Sequence, residues 1–515
     1  MATETSQSHV TDAVPLWVNR IRTLEAEPLG KSARELLEEW KVHPHLVNLL
    51  EEHHINQLFP VQEQVIPLLI DCDALDRYSV AASDIVVTAP TGQGKTLCYL
   101  LPIVNSIVKN NRIGLVSLIL APTRELVKQI YDFCKWFIEK DTKVYDLKGG
   151  ELLRVYSCHG NTSFIDDHTY LLEKRPQIVV FTPGRFVEHF AHREAGGDKT
   201  LDFSSLRWIV IDEVDLLLSQ SFYNWTSAVI SISNECQRKD AALEHTFHPV
   251  RPQKILVSAT IPTKSSEIDL LQLNRPLLLK GNSSSIYTLP ENLQQWCIKT
   301  TKNKKPLILI KLMLYIMKHG VSGDKTIIFC SYKETAHETA RMLELFSLYT
   351  GRNLGILELS ANLSQKQRRE VLEKFGDGTA DCLVCSDVAS RGMNFAKTRN
   401  VINYDFPKSI TKYIHRIGRT ARANESGSSY MILTGNQESE LRNFVVQLQI
   451  AMEDIKQIVL SDLLESKNQS ELDEDFKKIR DMVDRCLELE KSGTIQHDAP
   501  MTANWMALLQ NRDAE

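Results

Sequence analysis

The sequence predicts an α/β fold: two tandem units with parallel sheets, followed by a helical acidic C-terminal tail. Three observations predict it. The chain has 515 residues, too many for one ordinary domain. Short apolar runs alternate with helix-length stretches twice over, through residues 40–280 and again through 293–436. The segment Ala89-Pro90-Thr91-Gly92-Gln93-Gly94-Lys95-Thr96 stands between an apolar run and a helix-like stretch from Leu97, the context of a phosphate-binding loop. Hydrophobic content of 43% and charged content of 24% fit a soluble globular protein. The formal net charge of −5 provides no global basic field, so any nucleic-acid contact has to come from a local basic cleft.

Residues 1–39 read as a polar, helix-prone N-terminal extension without a clear core pattern. In the first unit, 40–280, the runs Ile85–Thr88, Leu115–Leu120, Ile178–Phe181, Trp208–Ile211 and Ile255–Val257 are too short for helices. They suit strands buried on both faces, as in a parallel sheet. Segments 191–203 and 236–253 read as surface loops, and 281–292, with its Gly-Asn-Ser-Ser-Ser, as a linker. In the second unit, 293–436, Thr326–Cys330, Ile356–Leu359, Cys382–Cys385 and Val401–Asn403 are the strand candidates. From 437 to 515 acidic and long polar residues carry intermittent apolar positions such as Ile455, Ile458, Leu463 and Leu464. This tail either packs back onto the second unit or serves as a partner-binding arm.

Of ten cysteines only Cys382 and Cys385 are close in sequence, and they read as a buried reduced pair. The histidines show no metal-ligand spacing; His43, His45, His53 and His54 read as surface or helix-end residues. Lys302-Asn303-Lys304-Lys305 reads as a solvated loop. The first dozen residues lack an apolar leader core, and no run approaches the ~20 residues needed to cross a bilayer. The expectation is an intracellular, soluble protein with no membrane partner.

Glycines in the loop let backbone N–H groups approach phosphates, so Thr91, Gly92, Gln93, Gly94, Lys95 and Thr96 are the expected nucleotide-binding residues. Lys95 reaches the β and γ phosphates, and the Thr96 hydroxyl holds Mg²⁺. Asp212-Glu213-Val214-Asp215 follows an apolar strand, where a doubly wound sheet places its ligand. Asp212 is expected to hold the same Mg²⁺, and Glu213 to orient or deprotonate the attacking water of an ATP hydrolysis. Ser258-Ala259-Thr260, after another apolar strand, is expected to link the acidic motif to what moves between the units. In the second unit, His415-Arg416-Ile417-Gly418-Arg419-Thr420-Ala421-Arg422 supplies Arg419 and Arg422 as candidate arginine fingers, active when the units close around ATP.

Together these motifs resemble a DEAD-box RNA helicase of superfamily 2, over roughly residues 40–435 and in the family's order. The resemblance implies two RecA-like domains. It implies that Gln62, in Phe59-Pro60-Val61-Gln62, reads the adenine edge. It implies RNA contacts from Pro122, Thr123 and Arg124, from Thr182, Pro183, Gly184 and Arg185, and from Gln365, Arg368 and Ser386. Ser258, Ala259, Thr260, His415 and Arg416 are the coupling residues. Such contacts grip sugar and phosphate, so binding is expected to be independent of base sequence. Phe-Pro-Val-Gln with Val65-Ile66-Pro67, and Arg-Thr-Ala-Arg-Ala, are similar to the branch acting in large ribosomal subunit assembly. That likeness implies a nucleolar, nuclear location, pre-ribosomal RNA and assembly factors as partners, and a monomer. Four residues depart from the family pattern: Val214 for alanine, Ala421 for glycine, Asn394 for aspartate, and His159 in a usual Gly-Gly pair. Trp40 is the nearest upstream aromatic to stack on adenine, out of register by a few residues. Two other classes fit less well: a non-catalytic RNA-binding scaffold, for which the catalytic residues would be superfluous, and a DNA-translocating motor, against which Gln62 and the Ser-Ala-Thr triplet speak.

Overall fold

The computed structural model of the chain describes residues 21–23, 30–74, 83–90, 92–138, 153–194, 201–219, 224–241, 251–260, 268–280, 289–290, 292–321, 323–351, 354–360, 363–387, 398–421, 425–459 and 469–492. They fall into two compact units that divide between Thr288 and Leu289.

The first unit holds eight strands: β1 (Ile21–Thr23), β2 (Ile85–Thr88), β3 (Ser117–Leu120), β4 (Val155–Cys158), β5 (Ile178–Phe181), β6 (Trp208–Asp212), β7 (Gln253–Ser258) and β8 (Leu277–Lys280). They form one parallel sheet in the order β1-β8-β2-β7-β6-β3-β5-β4. Strand side chains alternate between faces, so each strand feeds two cores. Ile85, Val87, Ile119, Val180, Val210 and Val257 point to one face. There they meet α1 (Ala33–Glu39), α2 (Pro44–Glu52), α3 (Pro60–Ala74), α4 (Lys95–Lys109) and α5 (Arg124–Trp136). Val86, Leu118, Val179, Ile209, Ile211 and Leu256 point to the other. That face is covered by α6 (Phe164–Lys174), α7 (Pro183–Glu194), α8 (Val214–Ser219) and α9 (Trp225–Ala241). The apolar runs therefore read as continuous because both faces are covered.

The second unit repeats the plan with β9 (Leu293–Thr300), β10 (Lys325–Cys330), β11 (Ile356–Leu359), β12 (Cys382–Ser386), β13 (Thr398–Asn403), β14 (Gly427–Thr434) and β15 (Ile455–Gln457). Their order is β11-β12-β10-β13-β14-β9-β15, again all parallel. The helices are α10 (Lys305–His319), α11 (Lys333–Thr350), α12 (Gln365–Asp377), α13 (Ile410–Ile417), α14 (Gln437–Leu448) and α15 (Gln469–Lys491). Cys382 and Cys385 are both buried and free, and they serve different cores because positions three apart on a strand face opposite ways.

Of the two accounts of the tail, its described residues follow the first. Ile455–Gln457 adds an edge strand beside β9, and Leu472, Phe476, Ile479, Met482, Val483 and Cys486 of α15 enter the second unit's core. A charged cluster fastens the end of that helix to α11. His337 lies between Glu358 (Nδ1 to Oε2, 2.7 Å) and Glu490 on its Nε2 side. Arg341 donates to Glu490 and to Glu344, each at 2.9 Å. Burial opposes charge on His337, but the hydrogen bonds to the two carboxylates prevail and raise its pKa to about 9.

Candidate active site

Strand β2 ends at Thr88, and its parallel neighbour β7 ends in register at Ser258. β6, on the other side of β7, ends at Asp212 opposite Val257. The phosphate-loop candidate, the Ser-Ala-Thr triplet and the acidic motif thus leave the carboxyl ends of three adjacent strands.

The loop closes on Gly94, the residue before α4, at φ +64°. A Cβ there would stand 2.2 Å from Gln62 Nε2, so glycine is required both by the left-handed backbone and by the approach of Gln62. The Gln62 amide spans two segments: its oxygen accepts from Phe59 N at 2.8 Å and its nitrogen donates to Gly94 O at 3.0 Å. Lys95 is buried, and its ammonium donates to the carbonyls of Ala89 (2.7 Å) and Pro90 (3.2 Å), which centres the charge in the loop. Ala89, at the head of the loop, turns its methyl group into the core. Thr91 lies outside the described residues.

Asp212 is buried. Its Oδ2 accepts from Tyr99 Oη at 2.8 Å and its Oδ1 from Glu213 N at 2.9 Å. Burial, then the charge of Glu213, raise its pKa to about 7, while Tyr99 and Lys95 pull the other way. A carboxylate so placed gains from a cation partner. Tyr99 also interacts with the Thr96 side chain, so one hydroxyl joins the two expected Mg²⁺ ligands. The donor set, a hydroxyl and a carboxylate oxygen beside a loop of N–H groups, fits hard Mg²⁺ with a phosphate ligand. Glu213 adopts φ +50°, strained for a non-glycine residue. Val214 is fully buried among the apolar residues under β6, so its extra methyl groups fill core space. The Thr260 hydroxyl donates to Asp215, and Thr260 N to Ser258 Oγ at 3.1 Å, so the triplet and the acidic motif are hydrogen-bonded directly.

The remaining motifs of this unit leave the ends of β3, β5 and β4, on the same sheet edge. Thr123 caps α5 through Leu126 N (3.2 Å), setting Pro122 and Arg124 at the helix start. Thr182 precedes α7, and Pro183 and Gly184 are its first two residues. Arg185 pairs with Asp167 (Nε to Oδ2, 3.2 Å) and Glu188 (2.8 Å) and donates to Thr162 O. Arg124 and Arg185 converge on Gly160, each with Nη2 within 4 Å of where its Cβ would stand. Burial, then Arg124, lower the pKa of His159, keeping it neutral beside these cations.

In the second unit, Ser386 is buried at the end of β12. Arg416 donates to Asp387, to Asn403 Oδ1 (3.2 Å) and to Asp405 O, tying together the ends of β12 and β13. Arg419 is buried and donates to His415 O at 3.2 Å. Ala421 adopts φ +52°, which explains the glycine usual there. Gln365 opens α12, with Arg368 one turn on. The Gln365 side chain, Asn394 and Arg422 lie outside the described residues. Tyr99 escaped the sequence reading; its signal was a hydroxyl-bearing ring one helical turn after Lys95.

The family model for DEAD/DEAH box helicases matches residues 59–268, and that for the helicase conserved C-terminal domain matches residues 304–424. The ATP-dependent RNA helicase DBP6 of Meyerozyma guilliermondii is 31% identical over 440 residues, covering 83% of this chain and 64% of its own length. The probable ATP-dependent RNA helicase ddx51 of Dictyostelium discoideum is 31% identical over 458 residues, covering 81% and 76%. Among solved structures, Mss116p bound to single-stranded RNA and AMP-PNP has a TM-score of 0.71 at 23% identity, covering 93% of this chain and 90% of its own, a likeness of fold. Among the described residues no helix is long and apolar enough to cross a membrane.

Proposed function

The chain belongs to the DEAD/DEAH box helicase family, and on that premise we propose that it is an RNA-dependent ATPase that remodels RNA. It grips the RNA backbone, separates short duplexes or displaces bound proteins, and hydrolyses ATP to let go. The observation that carries this reading is the alignment of Lys95, Asp212 and Thr260 over three adjacent strand ends, with Tyr99 joining the Thr96 and Asp212 side chains.

Lys95 and the N–H groups from Gly92 to Thr96 hold the phosphates at the start of α4. Thr96 and Asp212 would hold Mg²⁺, which when bound would supply charge neutralisation to the phosphates. Glu213 orients the attacking water and receives its proton. Arg419 and Arg422 lend positive charge to the terminal phosphate. Gln62 has a second amide N–H besides the one given to Gly94, and with it meets adenine. Pro122, Thr123, Arg124, Thr182, Pro183, Gly184 and Arg185 form the RNA edge of the first unit, and Gln365, Arg368 and Ser386 that of the second. Ser258, Ala259, Thr260, His415 and Arg416 couple the two events.

The motif wording of the ribosome-assembly branch supports pre-ribosomal RNA as substrate, assembly factors as partners and the nucleolus as location, with the protein acting as a monomer. The test is ATP turnover by the purified chain with no nucleic acid, with RNA, and with DNA of equal length. RNA alone is expected to stimulate, and Lys95→Ala to abolish turnover. Equal stimulation by DNA, or a Lys95→Ala variant with undiminished RNA-stimulated hydrolysis, would refute the reading.

A further inference from the structure

A second chemical site lies beneath the edge formed by β4, α6 and α7. Cys158 ends β4, Asp167 lies in the first turns of α6, and His189 lies in α7. All three are buried; Cys158 and Asp167 show no exposed surface and His189 only 3%. A thiol sulfur, a carboxylate oxygen and an imidazole nitrogen lie within 4.8 Å of one another. Among the described residues neither ring nitrogen of His189 has a hydrogen-bond partner, an arrangement that costs free energy in a protein interior. Burial, and then His168, Arg185 and His192, hold the imidazole in its neutral, metal-ligating form.

We propose that Cys158, Asp167 and His189 bind one zinc ion. Sulfur, nitrogen and oxygen donors together suit a borderline-soft cation, and zinc takes this mixture in tetrahedral geometry. Zinc–ligand bonds of about 2.0–2.3 Å place tetrahedral ligands about 3.3–3.7 Å apart, within reach of the observed cluster by small side-chain movements. Binding converts the thiol to a thiolate and releases its proton to solvent; no electron is transferred. Asp167 stays beside Arg185, whose bonds to Glu188 and Thr162 anchor it independently. The ion would join one strand to two helices beside Arg185, and the assignment does not depend on the ATP or RNA reading. Residues 158, 167 and 189 are nine and 22 apart, so no spacing in the sequence marks them.

All ten cysteines are free, and Cys72 alone is not buried, so a Cys72→Ser background removes the accessible competitor. The full chain, stripped with a chelator, is titrated with zinc against a chromophoric competitor, and with cobalt(II) to read thiolate-to-metal absorption. The expected result is one equivalent bound with a cobalt–thiolate band, and at least about 100-fold weaker binding in Cys158→Ala and in His189→Phe. In mild denaturant, where local opening exposes the buried thiol, zinc is also expected to protect Cys158 from alkylation in the chain that carries no change at the site, a readout that does not depend on either variant folding. Absence of stoichiometric zinc, binding equal in the variants, or alkylation of Cys158 unaffected by zinc would overturn the assignment and leave the Phe164–His168–His189–His192 cluster as aromatic packing alone.

Discussion

Raising the pH above neutrality is expected to loosen α15 from the second unit, through His337. Its pKa is about 9, against 6.5 for the ordinary side chain, so the folded state binds this proton more tightly. A group raised in this way stabilises fully below pH 6.5, and the contribution fades as the pH climbs through 9. At about 1.4 kcal/mol per factor of ten in proton affinity, the span is on the order of 3 kcal/mol. The charges explain the direction: His337 and Arg341 face Glu344, Glu358 and Glu490, so losing one proton leaves one cation against three carboxylates. Cys486, the neighbouring thiol, is pushed up to about 12 by burial and stays silent in this range. Hydrogen exchange of the α15 amides between pH 6.5 and 9.5, corrected for intrinsic rates, reads the effect locally. Protection is expected to fall by about two orders of magnitude in the wild type and to stay nearly flat in His337→Gln. An equal fall in both proteins would refute the assignment to His337, and no fall in the wild type would refute the charge balance.

Tyr99→Phe removes a hydrogen bond to a buried carboxylate, worth about 1.5–3 kcal/mol. The pKa of Asp212 then rises further, so kcat/KM for ATP is expected to drop most on the acid side of neutrality and recover at higher pH; pH profiles parallel to wild type would contradict this. Gly94→Ala forces a methyl group into Gln62 at a left-handed position costing about 1–2 kcal/mol, and nucleotide affinity measured by fluorescence titration is expected to fall about tenfold or more. Glu213→Gln is expected to keep nucleotide binding, lose hydrolysis and hold RNA for long times with ATP; rapid RNA release in a dissociation assay would count against its role.

The strands legible in the sequence are those covered on both faces. β2 and β6 are continuous apolar runs because helices lie above and below them. β4 lies at a sheet edge and reads Val-Tyr-Ser-Cys, with two half-exposed central positions, so no run announces it. β9 mixes buried Gln295 with exposed Gln294, and the first half of β14 is polar, with Ser429 buried against the Asn403 side chain, so the apolar run of β14 is confined to Tyr430–Leu433. The helix Ala33–Glu39 fell within a stretch read as having no core pattern. Its capping box, Ser32 with Glu35, was the available signal, and Ala33, Leu36 and Leu37 are buried. In the candidate site, Lys95, Asp212 and Thr260 were legible because they follow strands directly. Tyr99 was not, because an aromatic residue in an apolar helix reads as core until its hydroxyl's partner is seen.

The sheet order also imposes a schedule on synthesis. Ile21–Thr23 pairs with Leu277–Lys280, so the first described strand of this unit waits for the last described one before it can pair. Ile455–Gln457 and the helix ending at Lys491 arrive after the other described elements of the second unit, although Leu343, Phe346 and Ile308 share a core with that helix. A nascent chain stalled short of that helix would carry an uncovered apolar surface, a natural target for holdase chaperones.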